Sequence, residues 1–233
     1  TATKLKNLDF EPVLLPLFKT VFQQFAAQLI AKNYSALVFT SRNAVAAIEA
    51  DSVGRSLEKD LPVYVVGKAT AEAVRAAGFS DVRVGAGTGQ ELAQLIARDQ
   101  AGGRVQISAQ FPILYLAGVE RKPDFEAALK NAGTAVKVLE IYRMQKISYT
   151  TDFLKSDILS PFPKFVLLYS ANAARRFADI FLTQANVLAD VPVITVCLSQ
   201  EVADALPRQL RANAEIAIAP NEADLLERLA AMR

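Results

Sequence analysis

Six short stretches of this chain carry small, hydroxylated or basic residues where an apolar run gives way to a helical pattern. They are Thr40-Ser41-Arg42-Asn43, Gly67-Lys68-Ala69-Thr70, Gly87-Thr88-Gly89, Gly118 with Arg121 just after it, Ser170-Ala171-Asn172, and Leu198-Ser199-Gln200. A helix start leaves N–H groups without intrahelical partners, and its dipole favours negative charge. Small side chains let a ligand approach that backbone closely. Each Ser, Thr or Asn taken alone also serves as an ordinary helix cap. The reading therefore rests on their number and shared edge, which suit a ligand bearing many carboxylates or phosphates. Two such sets facing each other would line a cleft with N–H donors.

Several chemistries are excluded by composition. The chain has no histidine, so the commonest general base and metal ligand is missing. One cysteine, Cys197, cannot build a usual zinc set, a disulfide framework or a Cys–His pair. A serine triad is equally impossible without histidine, and no carboxylate cluster points to a metal, so no metal site is expected. Gly85-Ala86-Gly87-Thr88-Gly89 does not fit G-x-G-x-x-G and does not follow a first strand, so a dinucleotide loop is not expected. Arg42, Lys68, Arg121 and Lys122 fall just after strands and supply local positive charge. Arg175 and Arg176 lie further into a helix and read as a solvated face.

The elements that must position these turns are legible as an alternating array. Ala36–Thr40, Pro62–Gly67, Ile113–Gly118, Phe165–Ser170 and Val191–Cys197 read as buried parallel strands, apolar on both faces. Helical patterns cover Ala69–Ala77, stopping at Gly78, then Gln90–Arg98, Asp124–Asn131, stopping at Gly133, Ala173–Phe181, Gln200–Leu206 and Glu222–Met232. This order predicts an α/β fold with parallel sheets. Ser41-Arg42-Asn43-Ala44 and Ser170-Ala171-Asn172-Ala173 share S-x-N-A at strand ends, and the following elements repeat at an offset of about 130 residues. Two similar domains are expected. Two extended stretches, near 11–19 and 136–146, cross between them, so residues 1–15 plus 147–233 are read as a discontinuous domain and 19–136 as an inserted one. The crossing strands would form a hinge.

The bulk numbers agree with a folded chain. With 233 residues, 52% of them hydrophobic, there is enough apolar surface for two small cores. A net charge of +2 with no dense basic tract argues against nucleic-acid binding. No apolar run has the length to cross a bilayer, and no signal peptide is visible, so a cytoplasmic protein is expected.

Leu37–Val45 (LVFTSRNAV), Val65–Ala77 (VVGKATAEAVRAA), Leu114–Arg121 (LYLAGVER), Val138–Tyr142 (VLEIY) and Leu167–Ala173 (LLYSANA), in this order and spacing, resemble the signatures of uroporphyrinogen-III synthases. The resemblance implies two flavodoxin-like parallel-sheet domains joined by a two-stranded β-linker. It implies cyclisation of linear hydroxymethylbilane with loss of water and inversion of ring D, without cofactor, by a monomer that allows a transient contact with the preceding pathway enzyme. It carries substrate binding onto Thr40–Asn43, Gly67–Thr70, Gly118 and Ser170–Asn172. The second G-x-x-T turn of the family is Cys197-Leu198-Ser199-Gln200 here. The family's acid tyrosine falls at Ser156 or Asp157 by count, leaving Tyr149 as the nearest phenol. The family also begins with a strand ahead of its first helix, and residues before Thr1 are expected. Competing readings are a two-lobed small-anion binding protein, a catalytically inactive synthase-like interaction domain, and a nucleotide-dependent transferase that would need a phosphate loop.

Overall fold

The structure is a computed structural model that describes residues 1–25, 33–184 and 193–232. The chain divides into two compact units. One combines Thr1–Lys19 with Lys146–Arg233, and the other is Thr20–Gln145.

The Thr20–Gln145 unit is built on strands β1 (Phe18–Phe22, which begins just ahead of the boundary), β2 (Ala36–Phe39), β3 (Val63–Val65), β4 (Val82–Val84), β5 (Ile113–Gly118) and β6 (Val136–Lys146). Their order is β1-β6-β5-β2-β3-β4. The pairs β2–β3, β3–β4, β2–β5 and β5–β6 are all parallel. The Gln23 N–H donates to the Ile141 carbonyl at 2.9 Å and the Ile147 N–H to the Leu17 carbonyl at 3.0 Å. Partner numbers thus run in opposite senses, and β1 is antiparallel to β6.

Alternation along the strands separates two cores. Leu37, Phe39, Val63, Val65, Leu114 and Leu116 pack under the helices Arg42–Ala50 and Lys68–Ala76. Ala36, Val38, Tyr64, Ile113, Tyr115 and Ala117 face the helices Gly89–Ala101 and Asp124–Asn131. Burial on both faces explains the unbroken apolar runs in the sequence. Gly78 and Gly133 lie just past helix ends at φ +92° and +67°, a backbone region that disfavours side chains. In this sheet the chain steps outward from β2 to β3 and β4, then returns to β5 on the other side of β2. The order therefore reverses between β2 and β5, and such reversals leave a crevice at the carboxyl ends of the strands.

The other unit has a parallel sheet in the order β7-β8-β9, from β7 (Phe165–Leu168), β8 (Ile194–Cys197) and β9 (Ala214–Ile216). Leu168, Cys197, Ala174, Phe177, Val202 and Leu210 form one core, and Leu5, Val196, Leu225 and Leu229 another. The start of the expected Val191–Cys197 strand lies outside the described residues. The expected helix Gln200–Leu206 is instead Gln200–Asp204 followed by Arg208–Arg211, because Pro207 opens a new helix. The helix from Ala171 becomes a π-helix over Asp179–Gln184, and a second π-helical turn covers Leu154–Ile158. Among the described residues no helix is long and apolar enough to cross a membrane.

Candidate active site

The sequence turns fall at the carboxyl ends of their strands, but they are not equivalent. After β3, Gly67 caps the helix Lys68–Ala76 with no side chain to fill its first turn. The Thr70 and Ala71 N–H groups bond the Gly67 carbonyl at 3.1 and 3.0 Å, while those of Lys68 and Ala69 have no protein acceptor among the described residues. A Cβ built on Gly67 would meet nothing within 4 Å. Lys68 and Ala69 are exposed and Thr70 is buried. This turn thus presents open backbone donors and one ammonium, rather than the Thr70 hydroxyl, to an incoming anion.

After β2, Ser41 takes part in a cap. Its Oγ accepts from the Asn43 N–H at 3.2 Å, which leaves the Arg42 N–H as the donor open among the described residues. The Asn43 amide donates to the Met144 sulfur at 3.5 Å, and Thr20 donates to the same sulfur at 3.6 Å. Thr40 and Tyr115 share a hydroxyl–hydroxyl bond of 2.9 Å across the β2–β5 boundary. Burial raises the Tyr115 pKa, so this pair stays neutral and keeps one proton to give.

Two expected ligand groups are engaged within the fold. Thr88 and Glu91 form a reciprocal capping box, with the Glu91 carboxylate on the Thr88 N–H at 3.0 Å. That acid already occupies the helix start and would repel an anion. Arg121 donates through Nε to Glu126 at 2.5 Å and through Nη1 to Glu140 at 2.7 Å and to the Gly118 carbonyl at 2.8 Å. The hydrogen bond to Glu126, followed by that to Glu140, raises its pKa, and its charge is compensated locally.

Gly118 is where the β5 backbone meets an aromatic ring. A Cβ there would lie 2.7 Å from Tyr142 Cζ and 2.8 Å from its Oη. Tyr142 reaches this place through a β-bulge. Ala117 pairs with Glu140 but Gly118 pairs with Tyr142, so Ile141 is an extra residue on β6. Ile141 and Tyr142 are consecutive yet both sit in one core. The Tyr142 hydroxyl makes no hydrogen bond among the described residues. Sequence reading missed it because strict alternation from Leu139 and Ile141 would turn residue 142 outward. The available signal was its place at the end of the VLEIY run.

Tyr149, the nearest phenol by count, donates to the Pro16 carbonyl at 2.7 Å and stacks on Phe153. Its proton is committed to the backbone. In the same unit Ser170 Oγ caps Ala173 N–H at 3.2 Å, leaving the Ala171 and Asn172 N–H groups without an acceptor among the described residues, and Asn172 Oδ1 accepts from Arg175 at 3.1 Å. Ser199 makes no side-chain cap, and Gln200 bonds Asp204 at 2.9 Å. Because β7 and β8 are parallel neighbours, these two turns share one sheet edge. Arg176 does not lie on a solvated face. It is 7% exposed and donates to the Ile147 carbonyl at 2.6 Å. A cavity of about 490 Å³ runs along β7, but its walls include Phe10, Val13, Leu14, Leu15 and Leu17 and offer little to a polyacid.

The family model for uroporphyrinogen-III synthase HemD matches residues 1–227. The uroporphyrinogen-III synthase of Saccharomyces cerevisiae is 29% identical over 160 residues, a match that spans 61% of this chain and 57% of the yeast protein. The structure is similar to uroporphyrinogen-III synthetase from Helicobacter pylori, with a TM-score of 0.68 and 19% identity over 94% of this chain and 92% of that one. A mutant uroporphyrinogen III synthase from the extremely thermophilic bacterium Thermus thermophilus gives a TM-score of 0.55 and 18% identity over 99% and 91% of the two chains. At such identities these structures speak for the two-domain α/β fold alone. With the family model matched along nearly its whole length, this chain belongs to the uroporphyrinogen-III synthase family.

Proposed function

We propose that this chain cyclises hydroxymethylbilane to uroporphyrinogen III, with loss of one water and inversion of ring D. The observation that carries the reading is the open Gly67–Ala69 helix start beside the β2–β5 reversal, in a chain of this family. Backbone N–H groups of Arg42, Lys68 and Ala69, with the Lys68 ammonium, suit acetate and propionate groups. The open donors of Ala171 and Asn172, and the Ser199–Gln200 turn, add a second anion-binding edge in the other unit.

The chemistry asks for one proton donor and, beyond that, for a fixed geometry. The hydroxyl of the terminal carbinol takes a proton and leaves as water while pyrrole nitrogen electrons form an azafulvene. Ring D then attacks through its substituted carbon, a spirocyclic intermediate rearranges, and the ring closes with loss of a proton. Tyr142 is assigned the proton donation, because its hydroxyl stands uncommitted at the end of β5. Holding the bilane folded does the rest, and fixed near-attack geometry contributes on the order of 7–11 kcal/mol in favourable cases. Neutral hydroxyls and backbone dipoles tune the cationic intermediate.

The proposal includes action as a cytoplasmic monomer fed by the enzyme that makes the bilane. The unit Thr20–Gln145 is read as inserted into the other, with β1 and β6 as the linker strands. The test is incubation with hydroxymethylbilane and separation of product isomers. The synthase yields the type III isomer above the spontaneous type I background. A protein that merely binds small anions, or an inactive homologue, leaves only type I.

A further inference from the structure

A second role in the same site emerges from Arg121, whose guanidinium ties three elements together. Its Nη1 donates to the carbonyls of Gly118 at 2.8 Å and Val119 at 3.3 Å, on the turn leaving β5. The same nitrogen reaches Glu140 on β6 at 2.7 Å, and Nε reaches Glu126 on the helix Asp124–Asn131 at 2.5 Å. Glu140 is the last residue of β6 in normal register before the bulge. Beyond it, the Val119 N–H donates to the Tyr142 carbonyl at 3.0 Å, and the Tyr142 ring lies against Gly118. The side chain of Arg121 is 21% exposed, so the charge-assisted bonds work in partial shelter.

We propose that Arg121 is a positioning residue that clamps the β5 turn onto the β6 bulge and thereby sets the Tyr142 phenol over Gly118. This rests on the reading of this sheet end as the ring-closing site. The alternative use of Arg121, as a ligand for a substrate carboxylate, would require it to leave two carboxylates and two carbonyls that it already satisfies. A planar fork serves three elements at once, and a lysine ammonium does not.

The test measures steady-state kinetics and product isomers for the full chain, with the folded fraction of each variant fixed by thermal melting. Arg121→Gln is expected to lower kcat roughly 10–100-fold with KM within about threefold, since a misplacement near 1 Å has that cost. In a Tyr142→Phe background the same change is expected to cost less than about threefold, because both act through one phenol. Glu140→Gln keeps the side-chain shape and carries the same coupling test should Arg121→Gln fail to fold. Its expected loss is about 2–5-fold in kcat, again vanishing in the Tyr142→Phe background. A raised KM with kcat retained would make Arg121 a substrate ligand and overturn the inference. Losses that multiply fully in the Tyr142→Phe background would overturn it as well. A native chain that forms no type III product would instead overturn the underlying reading, and the clamp with it.

Discussion

Replacing Gly118 by alanine adds one methyl group at the point where β5 meets Tyr142. The added carbon would stand 2.7, 2.8 and 2.9 Å from Cζ, Oη and Cε2 of the ring. Carbon contacts are comfortable near 3.5–4.0 Å, so the ring must retreat by about 0.8 Å or more. The backbone at Gly118 is not left-handed, and alanine therefore meets the ring and no backbone strain. Tyr142 is packed with Leu116, Leu139 and Ile141, which resist that retreat. Overpacking of this kind costs roughly 1–3 kcal/mol, or about 2–12 °C in melting temperature for a chain of this size. A shift near 1 Å in a group that takes part in the reaction lowers the rate by about 100-fold. The expected result is a folded Gly118→Ala protein with kcat down by about that factor, KM little changed, and type I product rising at the expense of type III. Native kcat and an unaltered isomer ratio in a stably folded variant would refute the placement of Tyr142 in the reaction.

Gly67→Ala gives the complementary case. Its Cβ meets no atom within 4 Å, so the melting temperature is expected to stay within about 2 °C, while a methyl over the open helix start raises KM for the bilane; calorimetry and initial rates check both. Burial pushes the Cys197 thiol up to about 11, with the Thr195 hydroxyl acting in the other direction. Between its ordinary 9.0 and that value the folded protein holds a protonated thiol that the unfolded chain would ionise. Alkylation at about pH 9 is therefore expected to be slow in the native protein and fast in denaturant, and equal rates would contradict the burial. Asp99 accepts from Tyr64 at 2.9 Å and from Arg83 at 2.9 Å inside the second core, and Arg83 also holds Asp81. Asp99→Ala takes the acceptor from the Tyr64 O–H, while Arg83 still donates to the phenol oxygen at 2.8 Å, and is expected to cost about 1–3 kcal/mol by urea denaturation, with the isomer ratio unchanged.

The sheet-and-helix order was readable because strands buried on both faces give continuous apolar runs, and the stops at Gly78 and Gly133 correspond to left-handed glycines. The turn residues could be placed at strand ends for the same reason. Their local roles could not. Whether Thr88 offers donors or is closed by Glu91 depends on a side chain folding back over three residues. The partners of Arg121 come from a helix and from a strand 19 residues away, a juxtaposition that no local pattern encodes. Tyr142 was hidden by the bulge at Ile141, which breaks the period of two on which strand reading depends. Counting along the chain led instead to Ser156 or Asp157 and left Tyr149 as the nearest phenol, whose hydroxyl the fold uses to hold the Pro16 carbonyl.

In the proposed mechanism the ring closes at the end of β5, beneath the Tyr142 phenol. Comparing native protein with Tyr142→Phe on hydroxymethylbilane, at equal folded concentration, tests it most directly. The native chain is expected to give the type III isomer, and the variant to bind with a similar KM but turn over far more slowly, so that spontaneous type I product dominates. A variant that keeps the native rate and the native isomer ratio would contradict it.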